Sequence, residues 1–129
     1  MPDSAPAAPQ GELVIRTIAM PANTNSNGDM FGGWLVSQMD LGGAILARNV
    51  AHSRITTAAI DAMSFLHPVY VGDIVSCHAL LANTGRTSLR IIVQAWAQRQ
   101  KGGEHVLVTQ GTFTYVAIDE SGRPHPVHR

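Results

Sequence analysis

Gly32-Gly33-Trp34-Leu35-Val36-Ser37-Gln38-Met39-Asp40-Leu41-Gly42-Gly43-Ala44-Ile45-Leu46-Ala47-Arg48-Asn49-Val50-Ala51 carries the strongest structural signal in the chain. Leu35, Met39, Gly42, Leu46 and Val50 recur at spacings of three and four, the period of one helix face. Trp34, Val36, Leu41 and Ile45 fall off that stripe, so the predicted helix is apolar most of the way round. Such a helix is surrounded by other structure rather than laid on a surface.

Upstream, Gly11 to Ala19 alternates as a strand, with Leu13, Ile15 and Thr17 on one face and Val14, Arg16 and Ile18 on the other. Pro21 and the polar run Asn23-Thr24-Asn25-Ser26-Asn27-Gly28-Asp29 make a loop into the helix. Downstream the period is that of strands. Ile55 to Leu66 stops at His67-Pro68, and Val71-Gly72-Asp73 turns into a strand from Ile74 to Leu81. Asn83-Thr84-Gly85 turns into Ser88 to Gln98, where Leu89, Ile91, Val93 and Ala95 alternate against Arg90, Ile92, Gln94 and Trp96. Lys101-Gly102-Gly103-Glu104 is a hairpin tip before His105 to Ile118, and Asp119-Glu120-Ser121-Gly122 is a last turn.

The order is thus strand, one long helix, then four strands joined by turns short enough to make neighbours antiparallel. To cover one apolar helix, a single antiparallel sheet must curl around it. This is an α+β architecture, the hotdog fold: one central helix wrapped by a sheet of about five strands. The sheet leaves an edge, and part of the helix stays uncovered, which pairing of two copies repairs; at least a dimer is expected.

The whole chain has 129 residues, 45% of them hydrophobic, enough for one core. The expected organisation is a flexible N-terminal tail over 1–10, a single domain over 11–119, and a C-terminal turn and tail over 120–129. Nine Lys+Arg balance nine Asp+Glu, which argues against an electrostatically driven nucleic-acid binder and against a disordered chain. The single cysteine, Cys77, excludes an intrachain disulfide and fits a reducing compartment. Met1 to Gln10 lacks the charge and apolar run of a secretory signal, and no stretch is apolar enough to cross a membrane. A soluble, cytoplasmic protein is expected, with no membrane partner.

Asp40 is the most informative position. Aspartate is a poor helix-interior residue, and a buried carboxylate is costly unless paired or hydrogen-bonded. Around it stand Val36, Ser37, Gly43 and Ala44, a face of mostly small side chains. Gly42-Gly43 costs roughly 1 kcal/mol per glycine relative to alanine, so another backbone or a ligand is expected to come close there. Asp40 is either a catalytic carboxylate or part of a polar network at a subunit interface. At the helix start, Gly32 and Gly33 leave unpaired N–H groups at the positive end of the dipole, donors suited to an oxyanion. These glycines and Asp40 lie roughly 10–12 Å apart along the axis at about 1.5 Å per residue. One reacting carbonyl cannot sit about 3 Å from both on one helix, so joint action requires helices from two subunits.

Asn25-Ser26-Asn27-Gly28-Asp29-Met30-Phe31-Gly32-Gly33-Trp34-Leu35, followed by Ser37-Gln38-Met39-Asp40, closely resembles the YciA-type acyl-CoA thioesterases of the cytosolic acyl-CoA hydrolase group. Pro68-Val69, Val71-Gly72-Asp73 and Gly85-Arg86-Thr87-Ser88 match further segments in order, and the resemblance covers about Gly11 to Ile118. It implies an enzyme that hydrolyses acyl-CoA to a free carboxylic acid and coenzyme A. Asp40 is then the catalytic carboxylate, as general base on water or as nucleophile through a mixed anhydride. Asn25, from the opposite subunit, orients the water or the thioester, and the Gly32 and Gly33 amides form the oxyanion hole. The resemblance also implies pantetheine along the strand at Met63-Ser64-Phe65, and nucleotide phosphates at Arg86, Thr87 and Ser88. His67 departs from the Arg or Lys of relatives, which would make phosphate contact there weaker or pH-dependent. The implied assembly is a dimer within a trimer of dimers, a hexamer, and coenzyme A enters only as part of the substrate, with no cofactor or metal required.

Other chemistries fit less well. There is no Gly-x-Ser-x-Gly elbow for a serine hydrolase. Cys77 and His78 are strand neighbours and face opposite ways, so Cys77 reads as an inert buried thiol. His125 and His128 lack Cys, Asp or Glu at zinc-ligand spacing. Met20, Met30, Met39 and Met63 read as pocket or core filler suited to an acyl chain. A hotdog dehydratase needs a histidine on or before the central helix, and His52 lies at its far end. A non-catalytic acyl-CoA-binding module, a sensor, is the main alternative; the presence of both Asp40 and Asn25 argues against it.

Overall fold

The computed structural model describes residues 8–103 and 105–127. Residues 1–7 of the expected tail, Glu104 of the hairpin tip and His128 lie outside them. The elements are β1 (Glu12–Ile18), a 3-10 turn (Pro21–Asn23), α1 (Gly32–Ala51), β2 (Arg54–Phe65), β3 (Ile74–Thr84), β4 (Ser88–Gln98) and β5 (His105–Ile118). Among the described residues the strands form one sheet in the order β1-β3-β4-β5-β2, and every neighbouring pair is antiparallel. This is the hotdog arrangement. β1 and β2 are its two edges, and no helix among the described residues is long and apolar enough to cross a membrane.

α1 spans the residues its periodicity indicated. It starts at Phe31 without a side-chain cap and ends at His52, whose left-handed backbone (φ 55°) lets its N–H donate to the Arg48 carbonyl. Leu35, Met39, Gly42, Gly43, Leu46, Ala47 and Ala51 are its buried face, shifted slightly from the expected stripe, since Val50 is only half-buried. That face packs into one core with Val75, Cys77 and Ala79 of β3, Leu89, Ile91, Val93 and Ala95 of β4, and Phe113, Tyr115 and Ala117 of β5. Each large apolar side chain buried there contributes roughly 1.5–3 kcal/mol. The opposite phase of β4 faces away from this core. On that side Gln94 is buried, accepting from Trp96 Nε1 and the Gln10 N–H (both 3.0 Å) and donating to Gln110 (2.8 Å).

Four expectations are corrected. No other backbone comes close at Gly42 and Gly43, and the space they leave is already taken. Side chains of the sheet fill it: a Cβ on Gly42 would stand 2.7 Å from Val14 Cγ2, and one on Gly43 would collide with the Tyr115 hydroxyl. The alternation of β1 is broken by a register shift between Leu13 and Ile15, which turns both Val14 and Ile15 toward Gly42. β3 continues past the expected strand end at Leu81 to Thr84, into the expected turn, absorbing its own shift between Leu81 and Asn83. Met20 is exposed rather than filler, whereas Met30 and Met39 are buried and Met63 is half-buried. The sheet covers one side of α1 only, leaving Leu41 (58% exposed) and Ile45 (40%) uncovered, as the expectation of a partner copy requires.

Candidate active site

The loop before α1 is held by its own polar side chains. Asn25 Oδ1 accepts the N–H groups of Asn27 (2.8 Å) and Asp29 (3.1 Å), while the Asn25 N–H donates to the Asp29 carbonyl (2.6 Å). The Phe31 N–H returns to the Asn23 carbonyl and the Met30 N–H reaches the Val69 carbonyl, both at 2.9 Å. This aims the chain into α1 with the N–H groups of Gly32, Gly33 and Trp34 lacking any acceptor among the described residues. A cavity of about 270 Å³ opens at this helix start. It joins Asn25 and Gly32 to Phe65 and His67, over an apolar floor of Met30 and Leu35. The Phe65 ring closes on Gly32, 3.3 Å from where a Cβ would be, whereas Gly33 faces open space.

Asp40 lies elsewhere and does not line that cavity. Its Oδ1 accepts the Thr57 hydroxyl from β2 (2.8 Å) and the Tyr115 hydroxyl from β5 (3.0 Å). The Tyr115 hydroxyl is also 2.9 Å from the Asp40 backbone oxygen. Asp40 Oδ2 has no hydrogen-bond partner among the described residues. Burial pushes the Tyr115 phenol far above its ordinary range, and the Asp40 charge and hydrogen bond push it further, so it stays a neutral donor.

The coenzyme A candidates divide the same way. Phe65 pairs with Thr109 of β5, and Ser88 with Val116. Those β5 positions are separated by roughly 23 Å at about 3.3 Å per residue. Ser64 and Phe65 are therefore at the cavity end of the sheet, with Met63 turned onto Gly111 by a bulge at Ala62 (φ 52°). Arg86, Thr87 and Ser88 are at the other end, near Asp40, since Leu89 pairs with Tyr115. The Gly85 N–H donates to the Ser88 carbonyl (2.8 Å) to close the turn. The Ala117 N–H donates to Thr87 O (2.8 Å) and the Val127 N–H to Arg86 O (2.9 Å), tying that turn to β5 and the following segment. Arg86 itself is exposed. One protomer thus brings Asn25, Gly32 and Phe65 together, and separately places Asp40 close to the Arg86–Ser88 turn.

A family model described as the thioesterase superfamily matches residues 27–104. The chain belongs to that superfamily. It is 51% identical over 122 residues to the acyl-CoA thioester hydrolase YciA of Salmonella typhimurium, covering 92% of each chain. It superposes on the hexameric thioesterase y2039 of Yersinia pestis with a TM-score of 0.90 at 48% identity, covering 95% of this chain and 99% of that one. A hexameric broad-specificity acyl-coenzyme A thioesterase, solved as an aspartate-to-alanine mutant, matches with a TM-score of 0.90 at 46% identity, over 93% of this chain and 88% of the other.

Three parts of this thioesterase escaped the sequence reading. Thr57 is one of many strand threonines and Tyr115 one of several alternating core residues; only Gly43, a costly helix glycine three residues after Asp40, hinted that something reached in. The third is an ion pair with a buried carboxylate. Asp73, 2% exposed, accepts Arg99 Nη1 at 2.6 Å and the Tyr70 N–H at 2.9 Å. Arg99 Nη1 also donates to Pro68 O (3.0 Å), and its guanidinium lies 4.8 Å from the Tyr70 ring. These contacts hold the Pro68–Tyr70 segment, of which Pro68 and Val69 line the cavity. Val71-Gly72-Asp73 was legible as a turn, but nothing local pointed to Arg99. Cys77 is wholly buried and its thiol is pushed up to about 12 by burial, which leaves no thiolate at neutral pH.

Proposed function

We propose that this thioesterase hydrolyses acyl-CoA, releasing a free carboxylic acid and coenzyme A, at a site built by two protomers. The observation that carries the proposal is the division of the machinery: unpaired helix-start amides beside a cavity at one end, a carboxylate with one free oxygen at the other. Antiparallel apposition of two α1 helices would bring Asp40 of one protomer to Gly32, Gly33 and Asn25 of its partner. Leu41 and Ile45 on the uncovered side of α1, and Ile60 on the edge strand β2, are the apolar surface available for that contact. We infer further that such dimers assemble as a trimer, since the related structures are hexameric.

In this mechanism the acyl carbonyl oxygen faces the Gly32 and Gly33 N–H groups. Asp40 Oδ2 takes a proton from a water oriented by the Asn25 side-chain amide, and the water oxygen attacks the carbonyl carbon. The tetrahedral oxyanion collapses, the carbon–sulfur bond breaks, and the proton held by Asp40 returns to the leaving thiolate. Thr57 and Tyr115 remain on Oδ1 throughout. The alternative, attack by Asp40 itself through a mixed anhydride, uses the same free oxygen and would leave an acyl-enzyme that acid quenching traps. Neither route requires a resident cofactor or metal, because a carboxylate, two hydroxyls and backbone amides supply every proton transfer and charge contact. A cytoplasmic location belongs to the same reading, since a lone unpaired cysteine suits a reducing compartment.

The test is free-thiol release from acyl-CoAs of short to long chain. Turnover with a chain-length preference is expected; tight binding without turnover would replace the enzyme by a sensor. Arg86→Ala tests the phosphate contact. Losing one charge-assisted donor should raise KM about tenfold with kcat little changed. An unchanged KM would remove Arg86 from the substrate path.

A further inference from the structure

We propose that Tyr115 is a positioning residue that fixes the Asp40 carboxylate for catalysis, and that position 43 is glycine to admit its hydroxyl. The inference rests on Asp40 being the catalytic carboxylate. Tyr115 is fully buried, and its ring stacks on Phe113 with centroids 6.3 Å apart and planes 12° apart, so the hydroxyl is delivered from a fixed direction. That hydroxyl lies within hydrogen-bond distance of both the side chain and the main chain of Asp40. A contact to Oδ1 and to the backbone oxygen of the same residue restrains the torsion between them. With Thr57 also on Oδ1, the remaining oxygen, Oδ2, is the one left to meet substrate.

Gly43 sits one helical turn after Asp40, on the same side of α1. A Cβ there would collide with the Tyr115 hydroxyl and stand 3.1 Å from Cζ. The glycine therefore exchanges helix propensity for access of one oxygen to Asp40. Burial keeps the proton on that oxygen at any pH the enzyme would meet, so Tyr115 donates and does not itself exchange protons with substrate.

Tyr115→Phe removes the oxygen and keeps the ring. The expected result is a fall in kcat of about tenfold, with KM within about twofold of wild type. The same substitution in an Asp40→Asn background should cost little more, because the group it positions has already lost its function. Gly43→Ala should also lower kcat, and Tyr115→Phe should partly relieve its folding defect by removing the atom the new methyl meets. Full activity in Tyr115→Phe, or equal losses from it in wild-type and Asp40→Asn backgrounds, would overturn the positioning role. If Tyr115→Phe changes only the melting temperature, Tyr115 is a core residue and the proposal fails. Full activity in Asp40→Asn instead overturns the Asp40 assignment, a result distinguishable from failure of the Tyr115 role alone.

Discussion

Asp40→Asn lowers acyl-CoA turnover by at least about 100-fold while leaving the fold and assembly in place, the loss expected when a general base is removed. Asparagine is nearly isosteric with aspartate, and its amide oxygen can still accept the Thr57 and Tyr115 hydroxyls that bind Oδ1 now. What disappears is the charge and the ability to take a proton at the second oxygen. Free-thiol release by the two proteins at saturating substrate measures the effect directly. A mutant within tenfold of wild type would make Asp40 a structural residue held by its two hydroxyls.

The same carboxylate tests whether the site is shared. Asp40→Ala and Asn25→Ala chains are each expected to be inactive alone, because every site lacks one group. A mixed dimer has one site with both groups intact and one with neither. Random mixing makes about half the dimers mixed, so roughly a quarter of wild-type activity should return. No recovery in dimers verified as mixed would place Asn25 and Asp40 in sites that do not cooperate. Because Asn25 Oδ1 also holds the Asn27 and Asp29 N–H groups, Asn25→Ala requires a melting curve beside the activity assay.

The architecture was legible because its signals are local and periodic. The helix and β4 occupy the residues their patterns indicated, and a long apolar helix among short-turned strands leaves few ways to fold. The misses arose where periodicity is interrupted. A bulge at β1 turned Val14 inward, and another at Ala62 turned Met63 onto Gly111, neither marked by a glycine or proline at the bulge itself. Asp40 stood out as a charge in the wrong place, and Gly32 and Gly33 as donors without partners. The residues that hold Asp40 did not stand out, because Thr57 is seventeen and Tyr115 seventy-five positions away, and register alone brings them to it. Spacing along one helix also argued that the site divides between subunits. The sheet register strengthens that argument by separating Phe65 from Ser88 along β5 in the same sense.

Asp73→Ala is expected to destabilise the protein by roughly 2–4 kcal/mol, because it breaks an ion pair whose carboxylate is buried. Truncation removes the acceptor for Arg99 and for the Tyr70 N–H together. The cost stays below the upper limit for broken buried pairs because Arg99 is 28% exposed and can regain water. Arg99→Ala should cost at least as much, since it strands a carboxylate that is 2% exposed with one backbone donor. Asp73→Asn keeps the acceptor for Tyr70 and loses only the charge, so it should fall between wild type and Asp73→Ala. Urea midpoints at one fixed protomer concentration measure all three, because self-association adds to apparent stability. The double mutant should be less destabilised than the sum of the singles, by an interaction energy of about 1–3 kcal/mol. Additive effects would mean that the ion pair contributes nothing beyond its separate contacts. The consequence for activity follows from geometry: Arg99 also holds Pro68 O, so loosening it moves the wall that faces Asn25 and Gly32. In Asp73→Ala, KM should therefore rise before kcat falls.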